Sequence, residues 1–498
     1  MVSIDEINSF CKRKGLVFPS SEVYGGVAGI FDYGPVGVEL KNNIKKEWWN
    51  SIVQSHDNVV GMDGSIITNS KVWEASGHVD NFVDLLVECK KCGAKLRADH
   101  LVEEILKKPT EGLSAKQLDE LIIKNKIKCT ECKKGELSAV SEFNLMFKTN
   151  IGPSGKEFAF LRPETAQLIF TQFKNIVEVS RMKLPFGIAQ IGKSFRNEIS
   201  PRNFLFRMRE FEQMELEFFC HPKKKDECDV FDEVKDVYVN TLTASEQEND
   251  TNKLSKKTIA ELYKSKLIKS KWHAYWIASR VKWYFDLGIK PENLRIREHV
   301  SKELSHYSAS TWDIEYKYEF GWKELEGIAD RTDFDLQQHA KVSKKDMAIH
   351  DDISGEKVVP HVVSEPSVGV DRAFLTFIID AYNEEEVKGE KRIFLKLHPK
   401  LAPVKAAIFP LVNKEGMDKK AEEIYKELKK HFPTFYDDSG SIGRRYRRMD
   451  EIGTPFCITI DGQTMQDNTV TLRSRDTLEQ QRVKVSELVT KINKTLSI

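Results

Sequence analysis

The segment from Phe195 to Phe219 combines three kinds of side chain that together could hold a nucleotide. Two runs of near-alternating apolar and polar residues flank a break at Ser200–Asn203, which predicts two antiparallel strands joined by a longer loop. Arginine binds phosphate, a carboxylate accepts hydrogen bonds from an amino group, and a phenylalanine ring stacks on a base. The segment therefore predicts a sheet face that binds ATP without a phosphate-binding loop.

A competing pattern overlaps the start of this segment. Residues Gly187–Ser194, with the letters GIAQIGKS, match the P-loop pattern letter for letter. The inner residues are large or β-branched and favour a strand, and the Ser-Pro step that follows does not begin a helix. We interpret this match as coincidental, and the glycine cluster Gly25–Gly29 as a turn rather than a dinucleotide-binding loop.

Four of the eight cysteines form two Cys-x-x-Cys pairs, Cys89 with Cys92 and Cys129 with Cys132, about 36 residues apart. Four thiolates in two such pairs suit tetrahedral zinc, so they predict a structural zinc site that fixes an inserted segment. Reduced thiols that bind no metal are the alternative. The scattered cysteines are interpreted as reduced thiols or core residues: Cys11, Cys220, Cys228 and Cys457.

Length and charge limit the remaining possibilities. The chain has 498 residues and a formal net charge of +1, so it should hold two or three domains and any nucleic-acid site must be local. No run of about 18 apolar residues predicts a membrane span. The first residues lack the basic-then-apolar pattern of a secretion signal, and we expect a cytoplasmic protein.

The apolar periodicity divides the chain into segments. A helix is predicted after Pro35, an insertion over residues 88–140, a helix near 164–178, and a Lys-rich helical region over about 240–290. Strands are expected again at 312–326. Beyond the break at His398-Pro399 the pattern becomes that of a small α/β domain, and its basic residues concentrate at 444–448 and 473–475. A tyrosine among four arginines suits single-stranded RNA, although a solvated basic face is the common reading of such a cluster.

Several strings resemble the motifs of class II aminoacyl-tRNA synthetases. Residues Phe195–Glu198 through Phe211 resemble motif 2, Gly369–Phe374 resemble motif 3, and the segment ending in Gly34-Pro35 resembles motif 1. Finer strings resemble the homodimeric glycyl-tRNA synthetases, and together they span essentially the whole chain: Tyr24–Gly29, Arg162–Gln167, Gly327–Leu336, Val363–Ser367 and Asp450–Pro455.

This resemblance implies an α+β fold. Residues 1–398 would form the class II antiparallel sheet, six-stranded and flanked by helices, and residues 399–498 an α/β anticodon-binding domain. The implied partners are ATP, glycine, tRNA(Gly) and a second copy of the chain, with motif 1 at the dimer interface. In the implied reaction, glycine attacks the α-phosphate of ATP to give glycyl-adenylate, and the 3′-terminal adenosine of the tRNA then takes the glycyl group.

The resemblance also implies which residues bind ATP and Mg²⁺. Arg196 would contact the α-phosphate, or by the alternative reading pair with Glu198 on the surface. Arg207 and Arg372 would hold the β- and γ-phosphates, and Glu324 would bind Mg²⁺, a role that suits a carboxylate beside phosphate oxygens. The implied catalytic residues are Arg196 and Arg372. The full ATP set is Arg196, Asn197, Glu198 (adenine amino group), Phe206, Arg207, Phe211 (stacking on adenine), Glu324, Leu325 (backbone), Gly369 and Arg372.

Glycine has no side chain, so its pocket must bind an ammonium group and exclude a methyl group. Acidic residues would do the first and crowding the second, and because larger substrates are excluded by overpacking we expect no editing domain. The implied glycine set is Arg97, Glu164, Phe211, Glu215, Glu365, Ser367 and Gly369. Arg331 also matches a family position, or could form an ion pair with Asp330 or Asp333.

Two other functions remain as alternatives. One is a non-catalytic accessory protein that binds nucleic acid on the same fold, which would lack the phosphate-binding arginines. The other is a sister class II synthetase for another amino acid, against which the Glu365-Pro366-Ser367 string and the acidic pocket argue.

Overall fold

A computed structural model of the chain describes residues 2–107, 110, 112–153, 155, 157–249, 251–305, 308–387 and 389–496. The helices are α1 Ile4–Arg13, α2 Pro35–Trp49, α3 Lys71–Ala75, α4 His78–Asn81, α5 Ala98–Leu106, α6 Ala115–Lys124, α7 Ala166–Ser180, α8 Ala244–Glu248, α9 Ile259–Lys264, α10 Lys271–Asp286, α11 Phe334–Ser343, α12 Val370–Ala381, α13 Met417–Leu428, α14 Ile442–Glu451, α15 Thr464–Asp467 and α16 Leu488–Leu496.

The strands of the first half are β1 Val17–Pro19, β2 Phe31–Tyr33, β3 Val59–Met62, β4 Val83–Glu88, β5 Lys95–Arg97, β6 Ser141–Asn144, β7 Lys148–Ile151, β8 Glu157–Phe160, β9 Phe186–Phe195, β10 Glu210–Cys220, β11 Tyr238–Leu242 and β12 Ser255–Thr258. Those of the second half are β13 Leu294–Glu298, β14 Ser310–Tyr318, β15 Gly321–Asp330, β16 Ile349–His350, β17 Lys357–Val358, β18 His361–Gly369, β19 Tyr382–Val387, β20 Glu390–Leu395, β21 Ala406–Pro410, β22 Thr434–Tyr436, β23 Phe456–Ile460, β24 Thr469–Ser474 and β25 Gln480–Lys484.

A nine-stranded sheet with the order β12-β11-β13-β14-β15-β18-β10-β9-β3 organises the larger part of the chain. Its central six strands, from β13 to β9, pair antiparallel throughout, as the class II resemblance predicts. Strand β3 adds to one edge and β11 to the other, both in parallel pairing.

Alternation along β10 separates a core face from a polar face. Met214, Leu216 and Phe218 are fully buried in the main apolar cluster, which also contains α2, α10 and α12 residues. The tryptophans and tyrosines of α10 lie in this cluster, so their helical spacing marks a packing face. Side chains alternate between the two faces of a strand, so the residues between these apolar ones lie on the opposite face of β10, which is the polar face.

The hairpin around residue 200 differs from the prediction in one respect. The first strand ends at Phe195, and residues 196–209 form a loop that includes a short 3₁₀ turn at Phe204–Phe206. The base of the loop is closed by a backbone hydrogen bond in which the Arg196 N–H donates to the Arg209 carbonyl at 2.9 Å. The P-loop alternative is excluded, because all of Gly187–Ser194 lies within the extended strand β9.

The region predicted as helical over 240–290 is only partly so. Helices α8, α9 and α10 are present, but β11 and β12 frame α8 and extend the main sheet. Strand β12 was not predicted, because its two central residues are lysines and it therefore lacks the apolar alternation of a strand. The insertion over 88–140 holds β5, α5 and α6, and β5 joins the flanking strands β4 and β6 in a small sheet that packs with its own apolar cluster.

The C-terminal part folds around a five-stranded sheet of order β22-β21-β23-β24-β25, with the first three strands parallel. The mixture of strands and helices predicted beyond His398-Pro399 is present. The expected basic face is smaller than the sequence indicates. Arg445, Arg473 and Arg475 are buried, and the Tyr446 hydroxyl is hydrogen-bonded with Thr459 beneath the Arg473 guanidinium.

Within the described ranges, none of the helices combines the length and the apolar character needed to cross a membrane.

Candidate active site

A pocket of about 210 Å³ opens on the polar face of the sheet, between the 196–209 loop, β10, β15 and the start of α12. These elements bring together residues that are far apart in the sequence. Its lining consists of Arg196, Glu198, Leu205, Phe206, Arg207, Met208, Phe211, Gln213, Glu324, Ser367, Gly369, Asp371 and Arg372.

Arg196 is held in the pocket without a carboxylate. Its Nε donates to the Pro163 carbonyl at 3.1 Å, and its guanidinium lies 5.4 Å from the Phe211 ring centroid. It forms no ion pair with any residue that the structure describes, so the alternative of a surface pair with Glu198 is wrong. The ion-pair partner of Glu198 is instead Arg207, at 3.7 Å. Arg196 thus keeps guanidinium N–H groups for an anionic ligand.

Three buried polar atoms of the pocket lack hydrogen-bond partners among the described residues: Glu198 Oε2, Arg207 Nη1 and Gln213 Oε1. Buried polar groups are nearly always hydrogen-bonded, and each unmet one costs roughly 1–3 kcal/mol. Glu198 Oε2 and Arg207 Nη1 are the two atoms of the 3.7 Å ion pair, a separation too long for a hydrogen bond, so each can still bond a ligand. Two acceptors and one donor are the complement of a ligand that carries amino groups and anionic oxygens.

Arg372 and Glu324 face each other across the pocket. Arg372 Nη1 donates to the Glu324 carbonyl at 2.8 Å and to its Oε1 at 3.0 Å, and the Phe206 ring lies 4.5 Å from the guanidinium. The Glu324 side chain is 52% exposed, so one edge of its carboxylate is open to a ligand. The Leu325 side chain is buried in the core, which leaves only its backbone for a ligand.

A buried network anchors the start of α12, and it was not predicted from the sequence. Asp371 accepts from Lys41 Nζ at 2.9 Å, from the Tyr33 hydroxyl and from the Glu212 backbone N–H at 2.7 Å. The network joins α2, β10 and α12, and thereby fixes the backbone from which Arg372 projects. A lysine facing inward on an amphipathic helix is the only sequence signal of it.

Glu215 lies farther along β10 and is saturated with hydrogen bonds. Its Oε2 accepts from the Thr165 N–H at 2.9 Å and from the Thr165 hydroxyl, and its Oε1 accepts from Ser367 Oγ at 2.6 Å and Gln213 Nε2 at 3.0 Å. Ser367 and Glu215 are directly opposite in the β10–β18 register. The structure therefore brings together these two residues that were predicted to bind glycine.

Glu164 and Glu365 flank Glu215. Burial opposes ionisation of Glu164, but His78 at 3.4 Å, together with Arg331 and Gln167, holds the pKa of this carboxyl well below its usual value. Burial raises the pKa of Glu365 to about 8, against the opposing effect of Arg331. One carboxylate is thus permanently charged, whereas the other changes charge near neutral pH.

Arg331 supports this acidic group and does not pair with Asp330 or Asp333. Its guanidinium donates to both oxygens of Asp335, at 2.7 and 2.9 Å, and to Glu365 Oε1 at 2.7 Å. Arg331 is only 1% exposed. It orders Glu365 from behind the pocket.

Three predicted residues place no side chain in the described pocket. Gly369 ends β18 and caps the N-terminus of α12, where helix N–H groups favour anions. Asn197 donates its backbone N–H to the Leu145 carbonyl at 2.7 Å and does not line the described pocket. Arg97 likewise lies outside the lining, in ion pairs with Asp84 at 2.8 Å and Asp99 at 2.5 Å.

The four paired cysteines converge in the insertion. Their sulfur atoms all lie within 4.8 Å of one another, with Cys89–Cys132 and Cys92–Cys129 both at 3.7 Å. Zinc–sulfur bonds of about 2.3 Å in a tetrahedron place sulfurs about 3.8 Å apart, so the cluster could hold a metal ion of that kind. The backbone amides of Lys134 and Gly135 lower the pKa of Cys132 to about 6, which favours a thiolate ligand.

Comparison with known proteins agrees with this geometry. Residues 147–382 match the tRNA synthetase class II core domain (G, H, P, S and T), and residues 405–495 match an anticodon binding domain. The chain is 48% identical over 494 residues to the glycine–tRNA ligase of Caldanaerobacter subterraneus subsp. tengcongensis, covering 98% of this chain and 97% of that protein. It is 47% identical over 507 residues to the Clostridium perfringens glycine–tRNA ligase, covering 99% and 98%.

The chain belongs to the glycine–tRNA ligase family. Its fold also recurs in a solved structure, the prolyl-tRNA synthetase from Cryptosporidium parvum complexed with halofuginone and AMPPNP. The TM-score is 0.58 at 15% identity, covering 98% of this chain and 76% of that one. At this identity the likeness concerns the fold, whereas membership in the ligase family rests on the near-full-length relatives.

Proposed function

We propose that the chain activates glycine with ATP as glycyl-adenylate and transfers the glycyl group to tRNA(Gly). The observation that carries this proposal is the contiguity of two sites on one strand. Arg196, Glu198 and Phe211 surround a pocket with unmet polar atoms, and Glu215 with its acidic neighbours follows directly along β10. The two substrates of the first step would therefore lie side by side.

The first step needs no side-chain base, because the glycine carboxylate is already a nucleophile. A carboxylate oxygen attacks the α-phosphorus, the bond to the bridging oxygen breaks, and pyrophosphate leaves with the electron pair. Arg196 would stabilise the charge that builds on the α-phosphate oxygens, and Arg207 and Arg372 that on the leaving pyrophosphate. A site with three arginines and few other cations is suited to this task.

Adenine is proposed to lie on Phe211, with its amino group donating to Glu198 Oε2. Phe211→Ala is expected to raise the KM for ATP by roughly 5–150-fold, since base–aromatic stacking contributes about 1–3 kcal/mol. Steady-state ATP–pyrophosphate exchange measures this, with the KM for glycine as the internal comparison. An unchanged KM for ATP would remove Phe211 from the adenine site.

Mg²⁺ is proposed to bind between Glu324 and the phosphates. The exposed carboxylate edge of Glu324 at the pocket rim fits an oxygen-preferring ion that keeps part of its water shell. When bound, Mg²⁺ supplies charge neutralisation to the phosphates. Arg372 and Glu324, which pair in the free site, would then turn to separate parts of the ligand.

Glycine is proposed to place its ammonium group among Glu164, Glu215 and Glu365, near Ser367. The permanently charged Glu164 supports this, as does the dense packing of hydrogen bonds around Glu215, which leaves little room for a side chain on the substrate. Arg97 belongs to the proposed glycine set by the family resemblance alone, because its charge acts on Glu198, the proposed adenine contact.

A structural zinc ion is proposed at Cys89, Cys92, Cys129 and Cys132. Purified protein is expected to contain one zinc per chain, and Cys132→Ser to contain markedly less and to melt earlier, because the ion crosslinks two loops of the insertion. Elemental analysis and thermal melting measure both quantities. Cys228→Ser is the matched control, since Cys228 is a buried thiol outside the cluster. Equal zinc in the two variants would contradict the site.

The division into a catalytic part over 1–398 and an anticodon-binding part over 399–498 is retained as a proposal, with tRNA(Gly) bound across both. Exposed arginines of α14 remain available for the tRNA backbone, above all Arg444. Charging of tRNA(Gly) transcripts with radiolabelled glycine tests the full reaction. A protein that forms no glycyl-tRNA with ATP and Mg²⁺ present would contradict the proposed function.

The chain is further proposed to act as a cytoplasmic homodimer. Val23 and Tyr24, 88% and 92% exposed in the segment before motif 1, are apolar surface of the kind that a second copy covers. None of the eight cysteines, all of which the structure describes, forms a disulfide, which suits a reducing compartment. Sedimentation equilibrium measures the oligomeric state.

A further inference from the structure

Glu217 is a buried carboxyl group for which neither the motifs nor the pocket assign a role. It is 0% exposed, and neither of its carboxyl oxygens accepts a hydrogen bond from the residues that the structure describes. Side chains at every second position share a face of a strand, so Glu217 continues the row Phe211, Gln213, Glu215 on the substrate side of β10.

The sheet register places Glu217 opposite Glu365. In the register of β10 with β18, Glu215 is opposite Ser367 and Phe218 is opposite Ser364. The residue just before Phe218, Glu217, is therefore opposite Glu365. Side chains directly opposite in an antiparallel pair have Cβ atoms about 4.5–5.5 Å apart. The two carboxyl groups are therefore neighbours in the interior of the protein.

The charges around Glu217 are mostly negative. Burial raises the pKa of Glu217 well above its usual value, and the negative charges of Glu365, Glu215 and Asp335 raise it further. The positive charge of Arg331 acts in the opposite direction. The titratable and charged groups that surround the pair are Glu215 on β10, Arg331 after β15, Asp335 and His339 on α11, Glu164 before α7, and His78 on α4.

Burying a carboxylate without a partner costs several kcal/mol, so such a group stays protonated. The Arg331 guanidinium, the nearest cation, is directed to Asp335 and Glu365. A protonated carboxyl group has one O–H to donate, and the acceptor directly across the sheet is Glu365. A hydrogen bond to the charged form of a carboxyl group favours its ionisation.

We propose that Glu217 is a positioning residue of the glycine pocket: a carboxylic acid that stays neutral and donates its O–H to the Glu365 carboxylate that receives the glycine ammonium group. The inference rests on the proposed binding of glycine at Glu365. On binding, Glu365 gives its proton to solvent and becomes the anion, while Glu217 keeps its own proton and holds the anion in place.

The wild-type KM for glycine is expected to fall by up to about tenfold per pH unit between pH 6 and about 8, and then to level off, because one proton leaves on binding. Glu217→Met removes the O–H donor and is expected to move the pH range over which the KM for glycine falls to higher pH. The KM for glycine at pH 7.5 would then rise about tenfold, with the KM for ATP unchanged. Glu217→Gln keeps an N–H donor and is expected to restore the wild-type profile.

Glu298→Met is the matched control, because Glu298 on β13 also has a pKa raised by burial but lies outside the pocket. Equal profiles for Glu217→Met and wild type would overturn the proposal. So would a lower KM in both Glu217 variants, since that would mean that Glu217 is an anion that repels Glu365.

Infrared difference spectroscopy of wild type against Glu217→Gln tests the protonation state without turnover. A protonated-carboxyl C=O band that persists from pH 6 to 9 and is absent from Glu217→Gln is expected, and its absence from wild type would overturn the proposal. Failure of the proposed function would look different, because wild type would then show no glycine-dependent exchange at any pH.

Discussion

Arg196→Ala is expected to lower kcat for glycine-dependent ATP–pyrophosphate exchange by about 10²–10³-fold, the usual effect of removing one donor to developing charge. Arg196 is the pocket arginine that pairs with no carboxylate among the described residues, so its guanidinium N–H groups other than the one on Nε, which donates to the Pro163 carbonyl, are open to a ligand. The effect should fall on kcat more than on the KM for glycine, because the charge that it stabilises increases in the transition state.

Arg181→Ala is the control for this variant, since Arg181 is an exposed arginine at the end of α7. Arg196→Lys should recover part of the rate, because it restores the charge without the planar fork of donors. If Arg196→Ala kept the wild-type kcat, the α-phosphate assignment would be lost.

Arg331→Met is expected to destabilise the catalytic part of the chain by about 3–5 kcal/mol, the cost of removing one partner from a buried ion pair. The substitution leaves Asp335 and Glu365 buried without the guanidinium that binds them at 2.7–2.9 Å. Urea titration followed by tryptophan fluorescence would report this as a lower midpoint for the first transition.

Lys12→Met provides the comparison for that substitution. Lys12 and Glu22 form a surface ion pair with both side chains about half exposed, and such pairs contribute little to stability. A midpoint for Arg331→Met equal to that of Lys12→Met would contradict the expected cost of removing the guanidinium from Asp335 and Glu365.

Local patterns in the sequence were sufficient to predict several elements. Alternation predicted β10, the apolar spacing after Pro35 predicted α2, and the pattern beyond His398-Pro399 predicted a mixture of strands and helices. These elements follow from burial of one face, which is visible along the chain. The order of the nine strands and the framing of α8 by β11 and β12 depend on contacts between distant segments, which periodicity does not report.

The candidate site shows the same limit. Family motifs predicted Arg196, Glu198, Phe211 and Arg372, which the structure gathers in one pocket. The motifs missed Gln213, which lines the pocket, and the proposed positioning residue Glu217, although alternation places both on the same face of β10 as Phe211. Lys41 could not be found in this way, since its partner Asp371 lies 330 residues away in the chain.

The cysteine pairs lie between these two cases. Their spacing was enough to predict a four-thiol cluster, and the sulfur atoms do converge. The basic residues around 444–448 are divided into buried and exposed members by three-dimensional packing, which the sequence pattern does not report. Arg445 illustrates this, because its guanidinium donates to the Pro410 carbonyl instead of reaching solvent.

The most direct measurement of the central claim is ATP–pyrophosphate exchange by purified protein with Mg²⁺, assayed separately with each of the twenty amino acids. Exchange with glycine, and only background exchange with alanine, serine, proline, threonine and histidine, is the expected result. Exchange with a different amino acid would contradict the glycine assignment, and no exchange with any of them would contradict the proposal that this pocket activates an amino acid.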